Sequence, residues 1–357
     1  MNRIFLTHIL PEQLIRKFGL SFAAYNFSVN LMSGGGFDNV YSTMGTHVGG
    51  TMDVDAYQDE RYELIYCQSL RDKGRIGRLC ATIVEQWQVY RKVERNSSVW
   101  FYNVTTLNAF LYLLLRILKP SVQVNVIVLD FTPVEKGMGL NQWFLKIINN
   151  CHGNIRLAES SLFTNKNFVT LPGVVPSITG KEPIVEKPNN KFLLSGVLND
   201  VIAQVPMVLD TFASSPQCEL HITGLIDDET KILEYADKYP NIIWHGHVAF
   251  SEFMSIMHSC TFQLNTRDAA YPENQCNFPS KIIEALLHNR IIVSTIKYKQ
   301  LEGIDYLYVD SDLASCIESI SKMPESQLMR YANQGKKTAE MFSTSVWNEA
   351  MKKIESR

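Results

Sequence analysis

The sequence contains no CxxC pair and no cysteine spaced with histidine as a zinc site would space it. Its seven cysteines (67, 80, 151, 218, 260, 276 and 316) stand singly and are odd in number. That argues against a disulfide framework and against a zinc site, and predicts reduced thiols in a cytoplasmic protein. Nothing approaches the roughly 20 apolar residues of a membrane span. The longest apolar segment, Phe110 to Leu118, is broken by Arg116 and reads as a core helix. The stretch Met1–His8 is short in apolar length and lacks a small-residue cleavage site, so it reads as a first buried strand rather than a signal peptide. No excess of positive charge exists: 34 Lys and Arg face 36 Asp and Glu, a net charge of −2. The molecule as a whole therefore carries no nucleic-acid signature. Internal repeats and low-complexity segments are also missing. Asn96-Ser97-Ser98 and Asn103-Val104-Thr105 match the glycosylation triplet, a chance match in a cytoplasmic protein.

A strand-to-helix GxGxxG is absent as well. The one glycine cluster, Gly34-Gly35-Gly36, lies between a predicted helix and a predicted strand. A phosphate-binding loop needs the reverse order, so these glycines read as a helix C-cap.

What remains is an ordinary globular composition, 46% hydrophobic and 20% charged, in a chain of 357 residues, long enough for two domains. Strand and helix patterns alternate along it. Strands are predicted at Arg3–His8, Phe37–Met44, Tyr62–Cys67, Val99–Val104, Val122–Phe131, Ile155–Ala158 and Phe168–Leu171. Between them fall helices at Ser21–Met32, Ile76–Arg91, Leu107–Leu118 and Leu140–Asn149. Continuous apolar runs such as Val122–Phe131 fit parallel strands buried on both faces. The segment Pro176–Asn190, with three prolines, Gly180 and no long apolar run, reads as a linker. Alternation then resumes: strands at Lys191–Ser195, Glu219–Thr223, Ile242–His245, Thr261–Asn265, Ile291–Thr295 and Tyr306–Val309, with helices at Val201–Phe212, Asp228–Lys238 and Ser251–Cys260. From Glu325 the chain is predicted helical. The reading is α/β, two Rossmann-like domains with parallel sheets. Residues 1–177 form the first, 178–335 the second, and 336–357 a C-terminal helix that packs back on the first. Two such sheets facing each other would put their strand C-termini at one cleft, where ligands bind in these folds.

One motif carries chemistry. Asn277-Phe278-Pro279-Ser280-Lys281-Ile282-Ile283-Glu284-Ala285-Leu286-Leu287 reads as a helix opening at Pro279/Ser280, with Ser280 available as a cap. Ile282, Ile283, Leu286 and Leu287 make the apolar stripe; Lys281, Glu284 and His288 share the polar face. A lysine in a first turn opposes the helix dipole unless an anion sits on the N-terminus. Glu284, one turn on, could accept hydrogen bonds from two adjacent ribose hydroxyls. A solvated polar face is the bland alternative. Two more loops should reach the same sheet edge. Ser195-Gly196-Val197-Leu198-Asn199 offers a close backbone approach at Gly196, and Asn265-Thr266-Arg267-Asp268 offers a planar guanidinium. Arg267 could equally pair with Asp268 or Glu273, and Asn199 could be a turn residue.

From Lys191 to about Val309 the chain resembles the donor-binding half of GT-B glycosyltransferases of the retaining, GT4-like kind. Phe192–Asn199, His221-Ile222-Thr223-Gly224, Pro240–His247, Leu264–Arg267 and above all Asn277–Leu286 carry the resemblance; bacterial polysaccharide glycosyltransferases have a near-identical FPSK…E block. The first half matches more loosely, through Val122–Asp130, Pro133 and Leu171-Pro172-Gly173-Val174. The resemblance implies a nucleotide-diphosphate-sugar donor, no bound metal or other cofactor, and transfer to an acceptor hydroxyl of a growing glycan or lipid-linked saccharide. It makes Gly196, Asn199, Arg267, Asn277, Ser280, Lys281 and Glu284 the donor-binding set. Glu284 matches the second acid of the family's E-x7-E pair. The first is replaced by Cys276, with Asn277 as its neighbour and candidate substitute. The cation the family often has after the glycine loop is missing too, which leaves Arg267 and Lys281 for the phosphates.

Retaining members need no dedicated protein base, so no catalytic base is assigned; Asp130 and His8, at strand ends of the first half, are the candidates for touching acceptor or sugar. Arg71, Lys73, Arg75, Arg78, Arg91, Lys92 and Arg95 make the first half locally basic. That suits either an inner-leaflet contact toward a lipid-linked acceptor or a solvated loop. Three rival readings stand beside transfer: a nucleotide-sugar 2-epimerase, a two-domain dehydrogenase, and a non-catalytic nucleotide-sugar-binding homologue.

Overall fold

The computed structural model describes residues 1–12, 14–15, 22–34, 36–45, 48–49, 59–133, 139–175, 182–200 and 202–357. Ser21 of the first predicted helix, Gly35 of the glycine cluster, residues 176–181 of the predicted linker and Val201 lie outside them.

The chain divides into two compact units. The first comprises Met1–Pro176, Cys276–Phe278 and Phe342–Arg357; the second comprises Ser177–Gln275 and Pro279–Met341.

In the first unit, among the described residues, seven strands form one sheet: β1 (Arg3–Thr7), β2 (Asn39–Thr43), β3 (Glu63–Ile65), β4 (Ser98–Tyr102), β5 (Gln123–Val128), β6 (Gly153–Arg156) and β7 (Phe168–Thr170). Their order is β3-β2-β1-β4-β5-β6-β7, and every pairing is parallel. Helices α1 (Phe22–Gly34), α2 (Gln68–Arg71), α3 (Gly74–Lys92), α4 (Ala109–Leu118) and α5 (Asn141–Asn150) connect them. The central strands are buried on both faces: Ile4, Phe5, Leu6, Val99, Trp100, Phe101, Val126 and Ile127 are all within the core. This is why their sequences are continuous apolar runs rather than alternations. As expected for a C-cap, α1 ends at Gly34, and Gly36 adopts φ +64°.

The second unit holds six strands among its described residues: β8 (Lys191–Val197), β9 (Glu219–Leu225), β10 (Ile242–Trp244), β11 (Phe262–Asn265), β12 (Ile291–Ser294) and β13 (Leu307–Tyr308). They lie in the order β10-β9-β8-β11-β12-β13, again all parallel. The helices are α6 (Val205–Ala213), α7 (Thr230–Lys238), α8 (Phe250–Ser259), α9 (Pro272–Cys276), α10 (Ser280–Leu287), α11 (Leu313–Ser321), α12 (Glu325–Leu328) and α13 (Gly335–Phe342). The reversal of strand order falls at β8/β11, where open parallel sheets leave a crevice at the strand C-termini. A core of Phe192, Leu194, Phe212, Leu220, Phe262 and Val293 fills the sheet face below it.

Three predicted features come out differently. Helix α6 starts four residues later than Val201, because Asn199 Oδ1 accepts from the Ile202 N–H at 2.5 Å and Gln204 turns left-handed at φ 48°. Both fix a turn where a helix was predicted. Residues 182–190 of the predicted linker are docked, not free. Val185 is buried and exchanges two hydrogen bonds with the Asn333 side chain, at 2.9 and 3.0 Å. Lastly, the helical stretch from Glu325 is three helices, α12, α13 and α14 (Thr344–Glu355). Asn333 at φ 59° breaks it first, and Ser343 caps α14 by accepting from the Val346 N–H.

Helix α14 belongs to the first unit and packs on α1, β6 and β7. Its Trp347, Met351 and Ile354 are fully buried. At its end the Glu355 carboxylate accepts from Arg3 Nε (2.8 Å), Ser98 Oγ (2.6 Å) and Trp100 Nε1 (2.9 Å). Among the described residues no helix is long and apolar enough to cross a membrane.

Candidate functional site

At the C-terminal edge of the second sheet three neighbouring strands deliver their loops side by side. Strand β8 delivers Gly196 and Asn199, β11 delivers Thr266 and Arg267, and β12 delivers Thr295. Side chains lock the loops to one another. Thr295 Oγ1 donates to the Arg267 carbonyl at 2.6 Å, and Thr266 Oγ1 donates to the Ala203 carbonyl at 2.5 Å. Beneath them Asn265 Nδ2 donates to Ser294 Oγ (3.0 Å) and to the Tyr298 hydroxyl (3.1 Å). Helix α10 packs on β11 and β12 as their crossover, so its N-terminus opens at this same edge.

Two glycines shape the floor. Gly196 and Gly224 pair across β8 and β9. At Gly224 (φ +150°) a Cβ would lie 2.0 Å from the Gly196 carbonyl oxygen, so no side chain fits. Gly196 (φ +106°) faces open space, with no atom of the described residues outside its chain neighbours within 4 Å of where its Cβ would be. A ligand can therefore approach its backbone directly.

The charged groups stand around that opening. Lys281, in the first turn of α10, is half-buried, and its Nζ donates to the Ser195 carbonyl at 3.1 Å. Burial, reinforced by the nearby Arg267 charge, pushes its ammonium down to about 7. Arg267 is itself half-buried, with Nη1 donating to Asn274 Oδ1 at 2.9 Å. Glu284 lies one turn beyond Lys281 and is also half-buried. No hydrogen bond reaches its carboxylate among the described residues, and burial raises its pKa. Two cations held side by side, an open glycine backbone, a helix N-terminus and an unsatisfied carboxylate one turn further form a set poised for a ligand with anionic and hydroxyl groups.

Ser280 does not cap α10. Pro279 takes the N-cap position, which shifts Ser280 into the helix and leaves its hydroxyl exposed. Ile282, Ile283 and Leu286 bury the predicted apolar stripe together with Ala285, and Leu287 is half-buried. Asn199 holds its own loop through the Ile202 contact described above. Asn274, which braces Arg267, carried no signal in the sequence.

The remaining predicted residues lie in the first unit. Asn277 exchanges hydrogen bonds with both backbone groups of Phe131, at 2.7 and 3.2 Å. Cys276 is buried in that unit's core, with its Sγ 3.5 Å from Ser160 Oγ. His8 Nδ1 contacts Thr43 Oγ1 at 2.9 Å, while Nε2 accepts from Asn108 Nδ2 at 3.3 Å. Burial pushes His8 down to about 4, so the ring is neutral at pH 7 and both nitrogens are engaged. Asp130 is exposed at the end of β5, and its carbonyl accepts from Asn103 Nδ2.

Arg71 corrects the predicted basic surface. It is buried, bonded bidentately to Glu85 (2.7 and 2.6 Å), and donates to the carbonyls of Met44, Gly45 and Val48. Lys73, Arg75, Arg91 and Arg95 remain exposed. Beside them α3 presents an apolar stripe, Ile76, Leu79, Ile83 and Trp87, from 77% to 43% exposed.

No protein-family model matches the sequence, and no curated protein sequence is similar to it. Solved structures do match. The N-terminal domain of Candida albicans trehalose-6-phosphate phosphatase aligns with a TM-score of 0.67 at 11% identity, covering 99% of this chain and 97% of that one. An E. coli trehalose-6-phosphate structure bound with UDP-2-fluoro glucose gives 0.65 at 9%, covering 100% and 99%. The lipopolysaccharide outer core galactosyltransferase WaaB gives 0.61 at 14%, covering 99% of both chains. The chain shares the fold of these structures, GT-B, with two Rossmann-like units of parallel sheet.

Proposed function

We propose that the protein is a glycosyltransferase that moves a sugar from a nucleotide-diphosphate-sugar donor to an acceptor hydroxyl. The observation that carries this is the pair Lys281 and Arg267 beside the open Gly196 backbone, with the unsatisfied Glu284 carboxylate one helical turn away. The pyrophosphate would lie on Gly196, the α10 N-terminus with Ser280, and the two cations. Glu284 would accept hydrogen bonds from the ribose hydroxyls. Asn199 shapes the glycine loop, and Asn277 fixes the chain entering Pro279 through its bonds to Phe131. In the transition state the leaving diphosphate gains negative charge, and fixed cations and N–H groups stabilise it without reorganising. No metal is required for that step, and no protein base is assigned; retention through a front-face reaction follows the GT4-like resemblance. Asp130 stays the first-unit candidate for touching acceptor or sugar. His8 is the weaker one, since its nitrogens are already engaged.

The acceptor we propose is a growing glycan or a lipid-linked saccharide at an anionic inner leaflet. The exposed stripe Ile76, Leu79, Ile83 and Trp87 with flanking Lys73, Arg75, Arg91 and Arg95 supports it, since an apolar helix face rimmed by cations suits a lipid interface. WaaB, a galactosyltransferase of lipopolysaccharide, and the UDP-2-fluoro glucose complex agree in chemical class.

A thermal-shift panel of UDP, GDP, ADP, CMP and NAD on wild type and Glu284→Ala tests the reading. A ligand at a hundred times its dissociation constant stabilises by about 2.7 kcal/mol. One diphosphate should raise the melting temperature, and Glu284→Ala should lose that shift. A shift with NAD alone, or with nothing, overturns the donor site. Cys276, buried where the family has an acid, favours one second reading, a binder without turnover. Slow hydrolysis of the matching nucleotide sugar would exclude it.

A further inference from the structure

The opposite end of helix α10 holds a second cluster that glycosyl transfer does not use. His288 follows the last residue of α10, His258 stands in the last turn of α8, and Glu182 precedes β8. His258 Nε2 lies 3.1 Å from His288 Nδ1, and Glu182 Oε2 lies 2.8 Å from the same nitrogen. All three ligand atoms fall within 4.8 Å of one another.

Protons alone serve this arrangement poorly. If His288 Nδ1 carries its proton, it donates to Glu182, and the His258 nitrogen beside it faces an N–H already committed elsewhere. If Nδ1 instead accepts from His258, its lone pair points at the carboxylate oxygen. A divalent cation at the centre takes all three lone pairs at once. Two imidazoles and one carboxylate are ligands that zinc and its first-row neighbours accept. In a tetrahedral centre with bonds of about 2.1 Å, ligand atoms stand roughly 3.4 Å apart. The two His288 separations, 3.1 and 2.8 Å, would open by about 0.3 and 0.6 Å to reach that, and the His258–Glu182 separation, within 4.8 Å, would close toward it.

The framework around the ligands is built rather than incidental. Arg290 is buried and ties the backbones of all three ligand segments together. Its Nε donates to the His288 carbonyl (2.7 Å), Nη1 to those of His258 (3.1 Å) and Cys260 (3.2 Å), and Nη2 to that of Pro183 (3.0 Å). Asn289 Nδ2 adds a second bond to the Pro183 carbonyl at 3.2 Å. The Arg290 charge opposes a bound cation, and the Glu182 carboxylate offsets it.

We propose that Glu182, His258 and His288 form a binding site for one divalent transition-metal ion of the zinc class, with a fourth position left for water or an exogenous ligand. The bound ion joins the first described residue after the 176–181 segment to the ends of α8 and α10. Its role is to fix the C-terminal end of the helix whose first turn carries Lys281. The site lies about 11 Å along α10 from Lys281, at 1.5 Å per residue, so it does not depend on the donor reading.

The test uses the full-length protein, stripped with chelator and titrated with Co2+ and then Zn2+. Wild type should take up one Co2+ per chain, with a visible spectrum of nitrogen and oxygen ligation displaced by Zn2+, and Zn2+ should raise its melting temperature. His258→Gln and His288→Gln should abolish uptake. Glu182→Gln, at a side chain 34% exposed and therefore harmless to folding, should weaken it tenfold or more. Failure of wild type to bind Co2+ overturns the site. So does a thiolate charge-transfer band, which would put the ion on cysteine, or unchanged affinity in Glu182→Gln together with His258→Gln.

Discussion

Lys281 is unusual for a lysine: its ammonium is drawn into the molecule, donates to the Ser195 carbonyl, and sits near a second cation. Burial and Arg267 hold it at about 7, against about 10.4 for a free lysine. The unfolded chain therefore binds more protons than the folded one between those values, so this residue makes stability rise with pH across that window. A diphosphate placed against it favours the charged form and reverses the shift. Donor or nucleoside diphosphate binding at about pH 8 should thus take up a proton, and affinity should weaken as pH rises further. Calorimetry of the bound diphosphate in two buffers of different ionisation enthalpy measures that uptake. It should approach one proton in wild type and vanish in Lys281→Met; no uptake in wild type would remove the ammonium from the phosphate site.

Among elements, the C-terminal helix α14 is held by one residue at its end. Burial alone would raise the Glu355 carboxyl, but hydrogen bonds from Arg3, Ser98 and Trp100 outweigh it and hold the group below the ordinary glutamate range. A depressed carboxyl contributes stability above its unfolded value, which is lost as pH falls through the folded one. Acid below about pH 4 should therefore loosen this helix first. Removing one partner of a buried pair is destabilising by about 3–5 kcal/mol. Glu355→Ala should lower the urea midpoint accordingly. A change under 1 kcal/mol, the range of an exposed pair, would show that the buried network does not hold the helix. Helix α10 shows the other use of an element: one end presents Lys281 and Glu284, and the other presents His288.

For the molecule as a whole, the proposed membrane contact is the α3 surface. Its stripe from Ile76 to Trp87 is exposed, and on that proposal the neighbouring cations would add roughly 1 kcal/mol each near an anionic leaflet. Wild type should float with phosphatidylserine-containing vesicles at low salt and release as salt rises. Ile83→Asp should stay behind with an unchanged melting temperature, since Ile83 is half exposed already. Wild type that remains in solution at low salt would leave the stripe without this role.

Much of the architecture could be read directly from the sequence. Runs such as Val122–Phe131 and Ile291–Thr295 have no polar alternation because their strands are covered on both faces, and such runs separated by helices leave parallel sheets as the only economical arrangement. The same alternation brought the Gly196 and Arg267 loops and the start of α10 to one sheet edge, because each follows a strand or returns to one. Periodicity also found the buried Ile282, Ile283 and Leu286. It could not foresee that Arg71 is an interior residue, because the partner Glu85 and the carbonyls of Met44, Gly45 and Val48 come to it only when the chain folds. Nor could it foresee that residues 182–190 are docked, since Asn333, which holds Val185, stands 148 positions away. Cysteine spacing argued against a zinc site, but Glu182, His258 and His288 are spread over more than a hundred residues. Local pattern determined which segments are strands and helices, because burial and backbone hydrogen bonding act over a few residues. Tertiary structure alone decided which distant side chains meet, because only packing fixes their directions and removes the water that would otherwise separate them.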